Sequence, residues 1–130
     1  MKAVVCQNAE LRVEVLPDHF GPRSLAHLTQ FLLHTRAPRR LLVQYVPHAF
    51  GWKGGNVAFS LWLRGLARES IWVMFHEVAY PVDRHQRLAL NGLGLVTRGM
   101  ASLVASAAER IFVSIPAWEP LVRASASAAT

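Results

Sequence analysis

Three short apolar runs punctuate the chain, at residues 41–46 (LLVQYV), 71–75 (IWVMF) and 111–115 (IFVSI). Each has strand length and little polar alternation, which is the pattern of a strand buried within a parallel sheet. A fourth segment, residues 12–16 (RVEVL), alternates and stops at Pro17-Asp18, so it reads as a short strand meeting a loop. Helical spacing fills the intervals. Ser24 reads as the cap of a helix with Leu25, Leu28, Phe31 and Leu32 on one face, ended by Pro38. Asn56 is a good N-cap for a helix over residues 57–68. Residues 84–109 carry Leu93, Val96, Met100, Leu103, Val104 and Ala107 at helical spacing. Gly92, Gly94 and Gly99 lower the helix propensity there and predict a break or kink nearby. A short helix follows Pro116 and runs through Arg123, after which the small residues 124–130 are predicted to fray.

The order is therefore β-α-β-α-β-α-β-α. Such alternation predicts an α/β fold, a Rossmann-like parallel sheet with helices on both faces. The chain of 130 residues fits a single domain, placed at residues 1–123 with a small-residue tail over 124–130. No glycine-rich G-x-G-x-x-G turn follows the first strand, so the opening of a doubly wound domain is missing from the pattern.

Composition and charge alter this picture in four ways. Apolar residues make up 52% and charged residues 17%, which excludes a disordered chain and suits a doubly covered sheet or a domain that docks against another. The net charge is +6, and only Lys2 and Lys53 among the 14 basic residues are lysine, leaving 14 − 2 = 12 arginines. A phosphorylated substrate, an anionic membrane surface or nucleic acid could each answer such a charge. The arginines are scattered, with Arg39-Arg40 the one adjacent pair, which favours a solvated basic surface first, peripheral lipid attraction second, and nucleic acid last. A single cysteine, Cys6, precludes an intrachain disulfide and is read as inert. No run of 18 apolar residues occurs, so the expected location is the cytoplasm, with peripheral contact at the inner face of the plasma membrane as the second possibility.

Ligands of open parallel sheets bind beyond the carboxyl ends of the strands. Here those ends lead into residues 17–21, 47–56, 76–81 and 116–120, which gather His19, His48, His76, Phe20, Phe50, Tyr80, Trp52 and Trp118. In the loop Pro47 to Asn56, the glycines Gly51, Gly54 and Gly55 would let backbone N–H groups approach a ligand, Lys53 adds a charge, and the following helix start favours an anion. The same glycines serve equally to make a tight loop. It is not a phosphate-binding P-loop, since Gly54-Gly55-Asn56 follows the lysine. His76-Glu77 leaves the IWVMF strand where side chains enter the cleft, a place for a sugar-binding or acid–base histidine or for a buried structural one. A zincin motif fails at Tyr80, and His76, Glu77 and His85 lack a recognisable ligand spacing, so no metal is expected. Arg84 and His85 open the long helix, where a cation opposes the helix dipole, and Trp118 either stacks on a sugar or packs on the sheet edge. Ser60, Ser102, Ser106 and Ser114 lack a nucleophile-elbow context.

The segments QYVPHAFGWKGGN, WVMFHEVAYP and AERIFVSIPAWEPLVR resemble the N-terminal domain of bacterial GT-B glycosyltransferases of family 4, the group 1 class. The similarity spans residues 41–123 and, weakly, 13–21. It implies two Rossmann-like domains with the active site between them. The N-terminal domain holds a carbohydrate or glycolipid acceptor and the C-terminal one holds the nucleotide-sugar, with retention and without metal or other cofactor. The resemblance places His76 beside the donor sugar as the catalytic residue. His48, Gly51, Lys53, Gly54, Gly55, Asn56 and Glu77 then become substrate-binding residues of the acceptor cleft. The family's opening strand with its glycine-rich turn and its C-terminal domain have no counterpart in these residues. The chain alone is accordingly expected to be inactive. The alternative is a non-catalytic α/β module that docks a separate donor-binding subunit. A flavodoxin-like binding domain is a weaker third reading, because LPDHFGP makes a poor phosphate-cradling turn.

Overall fold

The computed structural model describes residues 2–6 and 9–127, with side chains from residue 13 to residue 127. The chain opens with an antiparallel hairpin, β1 (Lys2–Cys6) and β2 (Ala9–Val13), separate from the main sheet. Then follow α1 (Pro22–His34), β3 (Arg40–Tyr45), α2 (Val57–Gly65), β4 (Ser70–Phe75), α3 (Leu88–Ala107), β5 (Arg110–Val113) and α4 (Glu119–Ser127). Strands β3, β4 and β5 form a parallel sheet in that order, an arrangement compatible with a Rossmann-like fold.

The expected first strand at residues 12–16 is thus corrected. Its ladder ends at Val13 and runs antiparallel to β1, so it adds nothing to the parallel sheet. The side chain of Cys6 lies outside the described residues.

Register explains where the core sits. Leu41 lies beside Ile71, Val43 beside Val73 and Tyr45 beside Phe75, while on the other side of β4 Ile111 lies beside Val73 and Val113 beside Phe75. These alternate positions share one face, against which Phe59 and Leu63 of α2, Ala101 and Val104 of α3, and Val122 of α4 are packed. Ile71, Val73 and Phe75 are fully buried, each contributing about 1.5–3 kcal/mol relative to exposure. The opposite rows are Leu42, Trp72 and Arg110, then Gln44, Met74 and Phe112. Leu42 is 63% exposed and Phe112 39%. The expectation of helices on both faces is therefore corrected: α2, α3 and α4 cover one face, and the other stays open among the described residues. Trp72 is the centre of that open face, with the Arg40 guanidinium 3.9 Å and the Arg110 guanidinium 5.0 Å from its ring.

Local chemistry sets the element ends. Helix α1 starts at Pro22, whose missing N–H costs nothing at the first helical position, rather than being capped by Ser24. Asp18 takes that role from the preceding turn, its carboxylate accepting from the Arg23 and Ser24 N–H groups and from the Ser24 hydroxyl. Asn56 caps α2 as expected, accepting from Phe59 N–H at 3.0 Å. Helix α3 runs its 20 residues without the break predicted at its glycines. Gly94 instead allows a close approach: a Cβ there would stand 2.7 Å from Val82 Cγ2 and 3.2 Å from the Tyr80 carbonyl oxygen. The preceding residues, 84–87, belong to the strap that crosses α3 and not to the helix. Residues 124–127 are helical where fraying was expected, because α4 continues to Ser127 with Val122 and Ser125 buried, and residues 128–130 of the expected tail lie outside the described residues.

Candidate functional site

Beyond the carboxyl ends of the three parallel strands lies a pocket of about 240 Å³, lined by Pro47, His48, Glu77, Ala79, Tyr80, Pro81 and Trp118. Each strand supplies part of it. β3 leads into a 3-10 turn at Pro47–Phe50 that carries His48, β4 leads to Glu77, and β5 leads to the turn Pro116–Trp118. The strap after β4 brings Tyr80 across. Its position is fixed from below, since the Tyr80 N–H donates to Thr97 Oγ1 of α3 at 3.0 Å, and that hydroxyl donates on to the Leu93 carbonyl. Across the pocket floor, the Tyr80 hydroxyl and His48 Nδ1 are 3.0 Å apart, and their rings meet edge to face at 4.8 Å.

The glycine loop runs against this pair. Gly51 has φ +78°, and a Cβ on it would lie 2.8 Å from the His19 carbonyl oxygen. Gly54, buried at φ +88°, passes beneath the pair, where a Cβ would be 3.3 Å from Tyr80 Cε2 and 3.7 Å from His48 Nδ1. Gly55 packs beside the Trp52 carbonyl and Leu93. Lys53 takes a left-handed conformation at φ 54°, is exposed, and is not one of the lining residues. Asn56 is fully buried. Its amide donates to the Phe20 and Phe50 carbonyls at 3.0 and 2.7 Å while its oxygen accepts from Phe59, so both amide hydrogens and the oxygen are engaged within the protein. Its place is structural, a departure from the expected cleft contact.

Of the residues expected from sequence, His48 and Glu77 meet in the pocket and His76 does not line it. Successive residues of an extended chain point to opposite sides, so Glu77 and His76 diverge as β4 ends. His76 is exposed and pairs through Nε2 with Gln44 Oε1 at 2.6 Å, Gln44 being a residue of the open sheet face. His76, Glu77 and His85 do not converge, and no group of three metal-ligating side chains occurs among the described residues. Tyr80 and Thr97 are additions that spacing alone did not mark. The signal available for Tyr80 was its place in a loop after a parallel strand. Thr97 gave none, being a β-branched residue inside a helix.

Behind the pocket, the Tyr45 hydroxyl is buried without a partner, and desolvation pushes its ionisation well above the usual phenol range. It stays neutral within the aromatic cluster of Tyr45, Phe50 and Phe75. The pocket itself offers two aromatic side chains, a carboxylate and an imidazole, with no lysine or arginine among its lining residues. That set suits a neutral, hydroxyl-rich ligand with an apolar face: Trp118 and Tyr80 supply aromatic rings, Glu77 can accept hydrogen bonds from hydroxyls, and His48 can donate or accept one. It does not suit a phosphate, which Glu77 would repel. Comparison with protein-family models, with curated proteins and with solved structures returns no match.

Proposed function

We propose that this chain is the acceptor-binding half of a GT-B glycosyltransferase of family 4, with the pocket at the carboxyl edge of the sheet holding a carbohydrate or glycolipid acceptor. The carrying observation is the convergence of Trp118, Tyr80, Glu77 and His48 from three strand ends on one pocket of about 240 Å³, room for roughly one sugar ring. In this reading Trp118 stacks on the sugar, Glu77 accepts from its hydroxyls, and His48, oriented by Tyr80, holds a further hydroxyl. The nucleotide-sugar is bound chiefly by a second domain, so transfer, with retention and without metal, needs that partner. His76 keeps the donor-side role implied by the family resemblance, and its position at the same strand end but off the pocket fits a group that meets the donor and not the acceptor.

A second reading, a docking module for a separate donor-binding subunit, draws on the open sheet face around Leu42, Trp72 and Phe112. The two are separated by titrating the chain with a panel of mono- and disaccharides while recording NMR shifts. The acceptor reading expects shifts at Trp118 and Tyr80. It also expects Trp118→Ala or Glu77→Gln to weaken binding at least tenfold, about 1.4 kcal/mol, with His76→Ala unchanged. Saccharide binding that ignores Trp118→Ala, or no binding by any member of the panel, rejects the pocket as an acceptor site.

A further inference from the structure

Helix α3 is apolar on its outside as well as its inside. By length and composition it could cross a membrane, with a mean hydropathy of 1.3 over its most apolar window. Its inner face does not permit that, since Thr97, Met100, Ala101 and Val104 are buried against the rest of the protein. Roughly half a turn away run Leu88, Gly92, Leu95 and Gly99, at steps of four, three and four residues. Leu88 is 87% exposed and Leu95 64%, with Val96 beside them at 41%. An outward stripe of this kind, on a helix already packed on its other side, is costly to leave in water.

The charges around the stripe have one sign. Arg98 is the single charged residue within α3, and Arg87 precedes it by eleven residues, about three turns, so the two align along one flank. Arg84 adds a third cation in the strap. None of the three pairs with a carboxylate among the described residues. Asp83 is the one acid from residue 83 to residue 107, and its carboxylate accepts the His85 N–H. On the neighbouring α4 the acid is Glu119, which borders the groove over β5 and pairs with Arg123 at 2.7 Å.

From these placements we infer that the outward face of α3 docks the protein on an anionic lipid bilayer, with Leu88 and Leu95 entering the headgroup–acyl boundary and Arg84, Arg87 and Arg98 meeting the headgroups. A bilayer offers both an apolar layer and a sheet of negative charge, the two things this helix face lacks partners for. Gly92 leaves the space between the two leucines clear. A second copy of the chain would set arginine against arginine across the same face. The inference is independent of sugar binding, since it uses none of the pocket residues.

The test is co-sedimentation of the full chain with vesicles of phosphatidylcholine alone and with vesicles of phosphatidylglycerol and phosphatidylcholine in equal parts. Binding is expected to the mixed vesicles and to fall with added salt. The double variant Leu88→Ser/Leu95→Ser should lose at least tenfold in partition with its circular dichroism unchanged. Each of Arg87→Gln and Arg98→Gln should lose roughly fivefold. Failure of the wild type to sediment with mixed vesicles overturns the inference, as does a folded leucine variant that binds undiminished. A wild-type dimer in light scattering that the leucine variant converts to monomer, without vesicle binding, also overturns it and makes a second copy the occupant. Saccharide titration of the leucine variant keeps the two proposals apart, because its pocket is intact.

Discussion

Gly54 holds the pocket together from beneath. It lies at φ +88°, a conformation that L side chains rarely adopt, and any Cβ would crowd the Tyr80 ring and touch His48. Gly54→Ala should cost roughly 1–3 kcal/mol in urea unfolding and move the NMR signals of both rings. A loss under about 0.5 kcal/mol would mean that the loop relaxes freely and does not brace the pair. The neighbouring Asn56 shows why residue type alone misleads. As an N-cap it was legible from sequence, and as a polar residue in a glycine loop it also looked like a ligand contact. Burial decides between the two, because its amide is used up by the Phe20 and Phe50 carbonyls and by Phe59.

At the scale of the element, the start of α1 depends on a single carboxylate. The Ser24 hydroxyl chiefly, then the Ser24 and Arg23 N–H groups and the charge of Arg23, hold the Asp18 carboxyl below its usual 3.8, with desolvation opposing them. A carboxyl whose folded value lies below its unfolded one stabilises the fold above the unfolded value and loses that contribution as pH falls through the folded one. The stability gap between wild type and Asp18→Asn should therefore be constant above about pH 5 and close below pH 3.8, as read by denaturant titration at successive pH values. A gap unchanged to pH 2 would detach Asp18 from the acid response. Sequence periodicity located all four helices and the three parallel strands, yet it placed a kink in α3 that is absent. Propensity predicts the kink from three glycines, whereas tertiary contact with the strap at Tyr80 and Val82 explains why one of them, Gly94, must be small.

At the scale of the whole molecule, the sheet is covered on one face only among the described residues. Leu42 and Phe112 lie on the open one, beside Trp72 and its two guanidiniums. β3 is also an edge strand, and a groove of about 460 Å³ follows it between Phe20, Leu28 and Trp62. Exposed apolar surface of this kind favours association. Leu42→Lys with Phe112→Thr should change stability by no more than about 0.5 kcal/mol while lowering concentration-dependent association in sedimentation velocity. A loss above about 2 kcal/mol would show that this face is covered in solution.

By itself the sequence determined the α/β alternation, the three parallel strands and the carboxyl edge where their loops gather, because hydrophobic period and breaker residues are local signals that survive without a fold. It also marked His48 and Glu77. Tertiary structure alone decided that β2 turns back on β1 instead of joining the sheet, that one sheet face stays bare among the described residues, and that Glu77 turns into the pocket while His76 turns away to Gln44. Those outcomes rest on pairing partners and on which side of a strand end faces which neighbour. Neither is encoded in the spacing of residues along the chain, and both are set only when the packed elements choose among the alternatives that spacing leaves open.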